Sequence, residues 1–187
     1  GLKRGLLMGP GAALAGRARV VPIGIPEAEV GRDIETFALE RGDVAGVFPE
    51  RPREAHKGTY GHLLVIGGSR GKTGAAALAA RAAMRTGAGL ATVATAASQQ
   101  PIVAGLLLEA MTEALPETPV GTIALEAVET IHSLADVREA VALGPGLGLA
   151  EDTQDAARRL VRGLPCPMIV DADALSALAG HLDMLRA

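Results

Sequence analysis

The sequence has few aromatic rings, little cysteine and almost no charge imbalance. It holds no Trp, and its only aromatic residues are Phe37, Phe48 and Tyr60. Stacking platforms for bases are therefore missing. With 18 Lys and Arg against 21 Asp and Glu, no basic field replaces them, so no nucleic-acid partner is expected. The single cysteine, Cys166, cannot form an internal disulfide. It lies between two prolines and reads as inert and partly buried. No Cys/His spacing suits a structural zinc, and a cytoplasmic protein is the default. The longest charge-free run, 86–108, could span a bilayer by length, but it contains Gly87, Gly89, Gln99, Gln100 and Pro101. It reads better as strand, loop and helix, and no membrane partner is expected. No signal peptide is legible, and the chain opens on Gly1 rather than Met, as an interior piece of a longer protein would.

What is present is small and apolar. Hydrophobic residues make up 49% of 187 positions, with 24 Gly and 36 Ala. That is enough apolar matter for a core, and the length suits one domain or one and a part. Small residues let helices lie close on a sheet and let backbone approach a ligand.

Along the chain, residues 17–25 read as a short strand followed by Pro26, and 27–48 as weakly helical and then irregular. The charged, proline-bearing run 48–56 reads as a boundary. From His62 the texture changes. HLLVIGG is a buried strand running into glycines, and the Ala-rich stretch Thr73 to Thr86 is a helix that Gly87 stops. Residues 89–95 are a second strand, and Ser98 is placed to cap a short helix reaching about Leu107. Residues 109–122 read as irregular and 123–134 as a helix. A third strand at 139–144, a helix at 151–162, a fourth strand at 167–173 and a ragged last helix at 174–185 complete the pattern. Four strand–helix alternations imply an α/β fold with a parallel sheet covered on both faces, whose ligand lies beyond the carboxyl ends of the strands.

Three of those ends carry motifs. Gly67-Gly68-Ser69-Arg70-Gly71-Lys72-Thr73-Gly74-Ala75 leads from strand to helix. Its Gly-Lys-Thr suggests a P-loop, but the position that should hold the first glycine is Ile66, and the dinucleotide spacing G-x-G-x-x-G also fails. A glycine-rich loop that exposes backbone N–H groups at a helix N-terminus remains, and such a loop attracts phosphate or another polar ligand. A tight turn without ligand is the competing reading. Gly144-Pro145-Gly146-Leu147-Gly148 is a rigid turn that can form a second wall of the same cleft. Asp171 and Asp173 end the fourth strand, where a carboxylate can orient a hydroxyl, hold magnesium through water or cap the next helix. His56-Lys57 reads as linker, and His62, His132 and His181 receive no role.

These motifs in order, from HKGTYGHLLVIGGSRGKTGA through LLLEAM and GPGLG to PMIVDADAL, resemble the NAD(P)H-hydrate dehydratase family over about residues 55–187. The resemblance implies a ribokinase-like three-layer α/β/α fold with a mostly parallel sheet, incomplete here. Residues 1–48 resemble the tail of a Rossmann-like NAD(P)H-hydrate epimerase domain, 49–57 a linker, and 58–187 the N-terminal part of the dehydratase domain. The implied activity is dehydration of hydrated NADH or NADPH with ADP or ATP as phosphoryl donor and Mg2+ beside it, coupled in the whole protein to epimerisation of the other epimer. The implied contacts to the hydrated cofactor are Gly67, Gly68, Gly74, Ala75, Gly146, Leu147, Gly148, Asp171 and Asp173. The family's catalytic aspartate, in a Gly-Gly-x-Gly-Asp motif, and its adenine-nucleotide loop are expected beyond Ala187, so these residues alone are expected to be inactive. A homo-oligomer acting on small molecules is implied. The competing readings are a ribokinase-like pyrimidine or thiazole kinase and a non-catalytic nucleotide-binding module.

Overall fold

The computed structural model describes residues 2–26, 29, 36–48 and 50–186. The chain divides into two compact units, Gly1–Arg51 and Pro52–Ala187.

Among its described residues the first unit carries a 3-10 turn, Arg4–Leu6, and two short α-helices. Helix α1, Gly9–Leu14, starts on Gly9 with Pro10 in its first turn, where a missing N–H costs nothing. Helix α2, Arg41–Ala45, opens with a reciprocal cap in which the Glu40 amide donates to the Asp43 carboxylate at 2.8 Å. The strand expected at 17–25 is not there. Val20, Val21, Ile23 and Ile25 stand exposed, and among the described residues no strand pairs with them. A β-branched run without a hydrogen-bonding partner remains an extended coil. Most of the weak helix expected from 27 onward falls on 27, 28 and 30–35, outside the described residues.

The second unit is a five-stranded sheet: β1 His62–Ile66, β2 Leu90–Ala96, β3 Met111–Leu115, β4 Ala140–Leu143 and β5 Met168–Val170. Their order is β3-β2-β1-β4-β5, and every pairing is parallel. Central β1 pairs Leu64 with Thr92 on one side and with Val141 on the other. Its residues alternate between two cores. Leu64 and Ile66 pack with Ala127, Ile131, Ala156 and Leu160, which belong to α5 (Ala127–Ala135) and α6 (Glu151–Gly163). Val65 packs with Ala76, Ala80 and Val103, from α3 (Thr73–Thr86) and α4 (Gln100–Leu106). Helices thus cover both faces, and alanines on the inner face of α3 allow its close approach. A short α7, Ala172–Ala177, joins the first of these cores through Ala174 and Ala177.

Helix α3 begins and ends where the sequence places it. Gly87 takes the left-handed conformation (φ 116°) that ends a helix, its amide bonded to the carbonyls of Ala83 and Met84. Other elements differ from expectation. The sequence of β3 reads as irregular. It is an edge strand with only Leu115 buried, so its composition carries no strand signal. Ser98 does not cap α4. It sits in a 3-10 turn, Ala97–Gln99, and both its amide (2.9 Å) and its hydroxyl (2.7 Å) donate to Glu117. Helix α5 starts four residues late because Ile123 is held in an isolated bridge with Glu117. The last helix stops at Ala177, and Gly180 (φ 81°) separates it from the 3-10 turn Leu182–Arg186.

Candidate functional site

Strand order fixes where a ligand can lie. From β1 the chain winds outward to β2 and β3. It then returns to place β4 and β5 on the other side. The loops after β1 and β4 therefore meet above the sheet and lead to helices on opposite faces, at the switch point where open α/β sheets form their crevice. These are the two glycine-rich loops, and the Asp171–Asp173 segment follows the neighbouring β5.

The loops are laced together through backbone. The Gly68 amide donates to the Pro145 carbonyl (3.0 Å), that of Ser69 to Gly146 (2.7 Å) and that of Arg70 to Gly121 (2.9 Å). The buried Thr95 hydroxyl donates to the Gly68 carbonyl at 2.7 Å. Side chains would break this lacing. A Cβ on Gly67 would stand 2.2 Å from the Pro145 oxygen, and one on Gly148 would stand 2.4 Å from Thr122 Cγ2. One on Gly144 would stand 1.8 Å from the Asp171 carbonyl oxygen. Gly67, Gly68 and Gly148 are therefore held by packing: the Gly68 amide bonds the facing loop, the Gly148 amide donates to the Asp173 carboxylate, and the Gly67 amide donates to the Ala94 carbonyl of β2. Leu147 is also drawn inward, with its side chain in the core at 1% exposure.

What faces outward is the start of α3. Gly74 is exposed, and a Cβ there meets nothing within 4 Å. Among the described residues no acceptor takes the amides of Thr73 and Gly74, the orphan donors of a helix N-terminus. Ala75 lies against Gly146, with a methyl that would stand 3.1 Å from a Cβ on that glycine. Ala75 and Gly146 thus meet from two loops, and Gly74 stands open beside Ala75.

The two aspartates have different surroundings. Asp171 is exposed at the N-cap of α7, and its side chain makes no capping bond. Asp173 turns back over the loops. Its Oδ2 accepts from Lys72 Nζ (2.9 Å) and from the Gly148 amide (2.8 Å). Burial alone would raise its pKa. The two hydrogen bonds and the Lys72 charge outweigh burial and hold the carboxyl below its ordinary value. Between the two aspartates, Ala172 sits at φ 48°, the one non-glycine residue at positive φ among those described. That conformation costs an alanine about 1–2 kcal/mol. Such strain persists only where surrounding structure enforces it.

Sequence reasoning missed several residues here. Thr118, Thr122 and Thr153 form a buried chain of hydroxyls, with Thr118···Thr122 at 2.8 Å, Thr122···Thr153 at 2.6 Å and Thr153 donating to the Ile123 carbonyl at 2.7 Å. This chain braces the floor beneath Gly148. Ser69, 4% exposed, also lies beside Gly148. Lys72, the lysine of the P-loop-like triplet, is engaged by Asp173 and does not project freely. Glu117, on the rim, is held below the ordinary carboxylate range by the Ser98 amide and hydroxyl. Nothing local in sequence joins Thr153 to Thr122, since 31 residues separate them.

Elsewhere, His62 bonds Thr92 Oγ1 at 2.7 Å at the amino end of the sheet, opposite the cleft. Burial, with Arg138 nearby, lowers its pKa. A separate groove of about 370 Å3 runs between the C-terminal half of α3 and residues 105–110, and it holds none of the expected site residues. Among the described residues no three His, Cys, Asp or Glu side chains gather as a metal cage, and no helix is long and apolar enough to cross a membrane.

Comparison with known proteins fits this geometry. A family model described as NAD(P)H-hydrate dehydratase matches residues 63–186. The chain is 43% identical over 183 residues to a bifunctional NAD(P)H-hydrate repair enzyme of Moorella thermoacetica, an alignment covering 95% of this chain and 34% of that protein. The chain spans about a third of the length of such curated relatives. A ribokinase-like superfamily protein of Enterococcus faecalis, 24% identical, superposes with a TM-score of 0.59 over 71% of this chain and 44% of its own, which speaks to fold alone. An ADP/ATP-dependent NAD(P)H-hydrate dehydratase of Bacillus subtilis, co-crystallised with ATP and Mg2+, is 34% identical with a TM-score of 0.57. That match covers 72% of this chain and 45% of that one.

Proposed function

The chain belongs to the NAD(P)H-hydrate dehydratase family, and on that premise we propose that the protein carrying it repairs nicotinamide cofactors that have taken up water. Hydrated NADH or NADPH bears a hydroxyl at C6 of the reduced ring, and hydroxide is a poor leaving group. Transfer of a phosphoryl group from ADP or ATP converts it to phosphate. Phosphate then leaves as a proton departs the adjacent carbon, and the double bond is restored. Residues 58–187 form the first part of the dehydratase domain. Residues 1–48 form the tail of an epimerase domain joined through the linker 49–57, a reading supported by the bifunctional relatives aligned across 95% of this chain. The whole protein works as a cytoplasmic homo-oligomer.

One observation carries the reading: Ala75 abuts Gly146 at the switch point, and beside them the Thr73 and Gly74 amides have no acceptor among the described residues. In this proposal those amides and the Gly146 backbone seat the hydrated cofactor, and Asp171 reaches its hydroxyl groups. A Mg2+ ion would neutralise charge on the nucleotide phosphates. The described residues gather no donor set for it, so none of its work is assigned to them.

The test uses the full-length protein with hydrated NADH or NADPH and either nucleotide. Recovery of reduced-nicotinamide absorbance, with one phosphate released per turnover, is the expected outcome. Phosphorylation of a pyrimidine or thiazole alcohol without phosphate release would instead make the protein a small-molecule kinase.

A further inference from the structure

The carboxylate of Asp173 joins three segments above the sheet, those after β1, β4 and β5. It belongs to the segment after β5, and its Oδ2 takes one bond from Lys72, on the loop after β1, and one from the Gly148 amide, on the loop after β4. The same three elements are pressed together elsewhere. A Cβ on Gly146 would stand 2.6 Å from the Lys72 carbonyl oxygen, and the Asp171 carbonyl abuts Gly144. The Asp173 side chain is 20% exposed, covered by the loops it joins, whereas Lys72 is 48% exposed and reaches inward to it. Lys72 directly precedes the Thr73 and Gly74 amides, and Gly148 lies two residues after Gly146. Fixing Lys72 against Gly148 therefore fixes the gap between the two ligand-facing backbones.

We propose that Asp173 is a positioning residue: its carboxylate clasps Lys72 to Gly148, sets the spacing of the two loops, and acts on the hydrated cofactor through them. The Gly-Lys-Thr lysine accordingly serves the carboxylate and not a phosphate. This assignment rests on the function proposed above. Charged hydrogen bonds are the strong ones, and two converging on one oxygen define a geometry as well as an attraction.

Asp173→Asn, Lys72→Met and the double variant, made in the full-length enzyme, test it. Each single change should raise KM for hydrated NADPH about tenfold with kcat within about twofold, because ground-state seating is lost while the chemistry is untouched. The double variant should be no worse than the poorer single one, since both remove the same link. Effects that multiply, a fall in kcat at constant KM, or no change in KM would each overturn the clasp. A second readout needs no substrate. Hydrogen exchange at the Gly148 amide should quicken at least about tenfold in Asp173→Ala, as expected when an amide loses its acceptor. Unchanged exchange rejects the clasp even if the enzyme repairs hydrates. Faster exchange in a protein that turns over no hydrate keeps the clasp and rejects the function.

Discussion

A methyl group added at Gly74 enters open space, whereas one added at Gly67 collides with the Pro145 carbonyl. The two glycines of one loop thus answer to different demands, and substitution separates them. Gly74→Ala should leave the fold intact or stabilise it by up to about 0.5–1 kcal/mol, because alanine narrows the unfolded ensemble in a helical turn. It should weaken hydrate binding by crowding the exposed amides. Gly67→Ala should instead destabilise by about 1–3 kcal/mol through overpacking. Urea unfolding and substrate titration together check both. Asp173 adds a pH dependence. Its carboxyl lies below its ordinary value when folded, so its contribution is fully present above the ordinary aspartate range and is lost as pH falls through the lowered folded value. The stability difference between wild type and Asp173→Asn should therefore hold steady near neutrality and shrink on acidification, as denaturant midpoints across a pH series will report.

At the scale of elements, Thr153 on α6 holds a hydroxyl chain that reaches Thr122 and the Ile123 carbonyl. Thr153→Val keeps the volume and strands both partners, at an expected cost of about 1–3 kcal/mol. A comparable cost at exposed Thr86, whose hydroxyl donates to the Ala82 and Ala83 carbonyls within its own helix, would argue against that reading. The same contrast explains what could be read from sequence. Helix α3 was legible to the residue, because its alanines, its two arginines and Gly87 are local signals. β1, β2 and β4 were legible because a strand buried on both faces is a continuous apolar run. β3 was not, since Met111, Glu113 and Ala114 are exposed on an edge and only its pairing with β2 makes it a strand. Residues 17–25 differ in the opposite sense, with strand composition and no pairing strand among the described residues. Within the cleft, the glycine loops announced themselves, but which glycines pack and which face outward depends on the crossing of two loops some 75 residues apart. Lys72 and Asp173 stand 101 residues apart and had no sequence signal as a pair.

At the scale of the whole molecule, the sheet ends in β3 on one side and β5 on the other, and among the described residues neither has an outer neighbour. β5 is three residues long, with Ile169 67% exposed. Leu78, Ile102 and Leu108 also stand in solvent, as do Leu14, Phe37 and Leu39 of the first unit. Unpaired strand edges beside exposed apolar side chains invite association. The relatives are about three times as long as this chain, so most of the matter available to cover such surfaces in them lies outside the aligned region. The 187-residue polypeptide expressed by itself should therefore self-associate, with sedimentation that depends on concentration and a broad thermal transition. It should also fail to restore reduced nicotinamide from the hydrate, since the family resemblance assigns the catalytic aspartate and the adenine-nucleotide loop to other segments. A monomer that unfolds in one sharp step would show that the exposed edges are self-sufficient. Turnover of hydrated NADH with ADP or ATP by this polypeptide would show that the cleft at the β1/β4 switch point contains the whole of the chemistry.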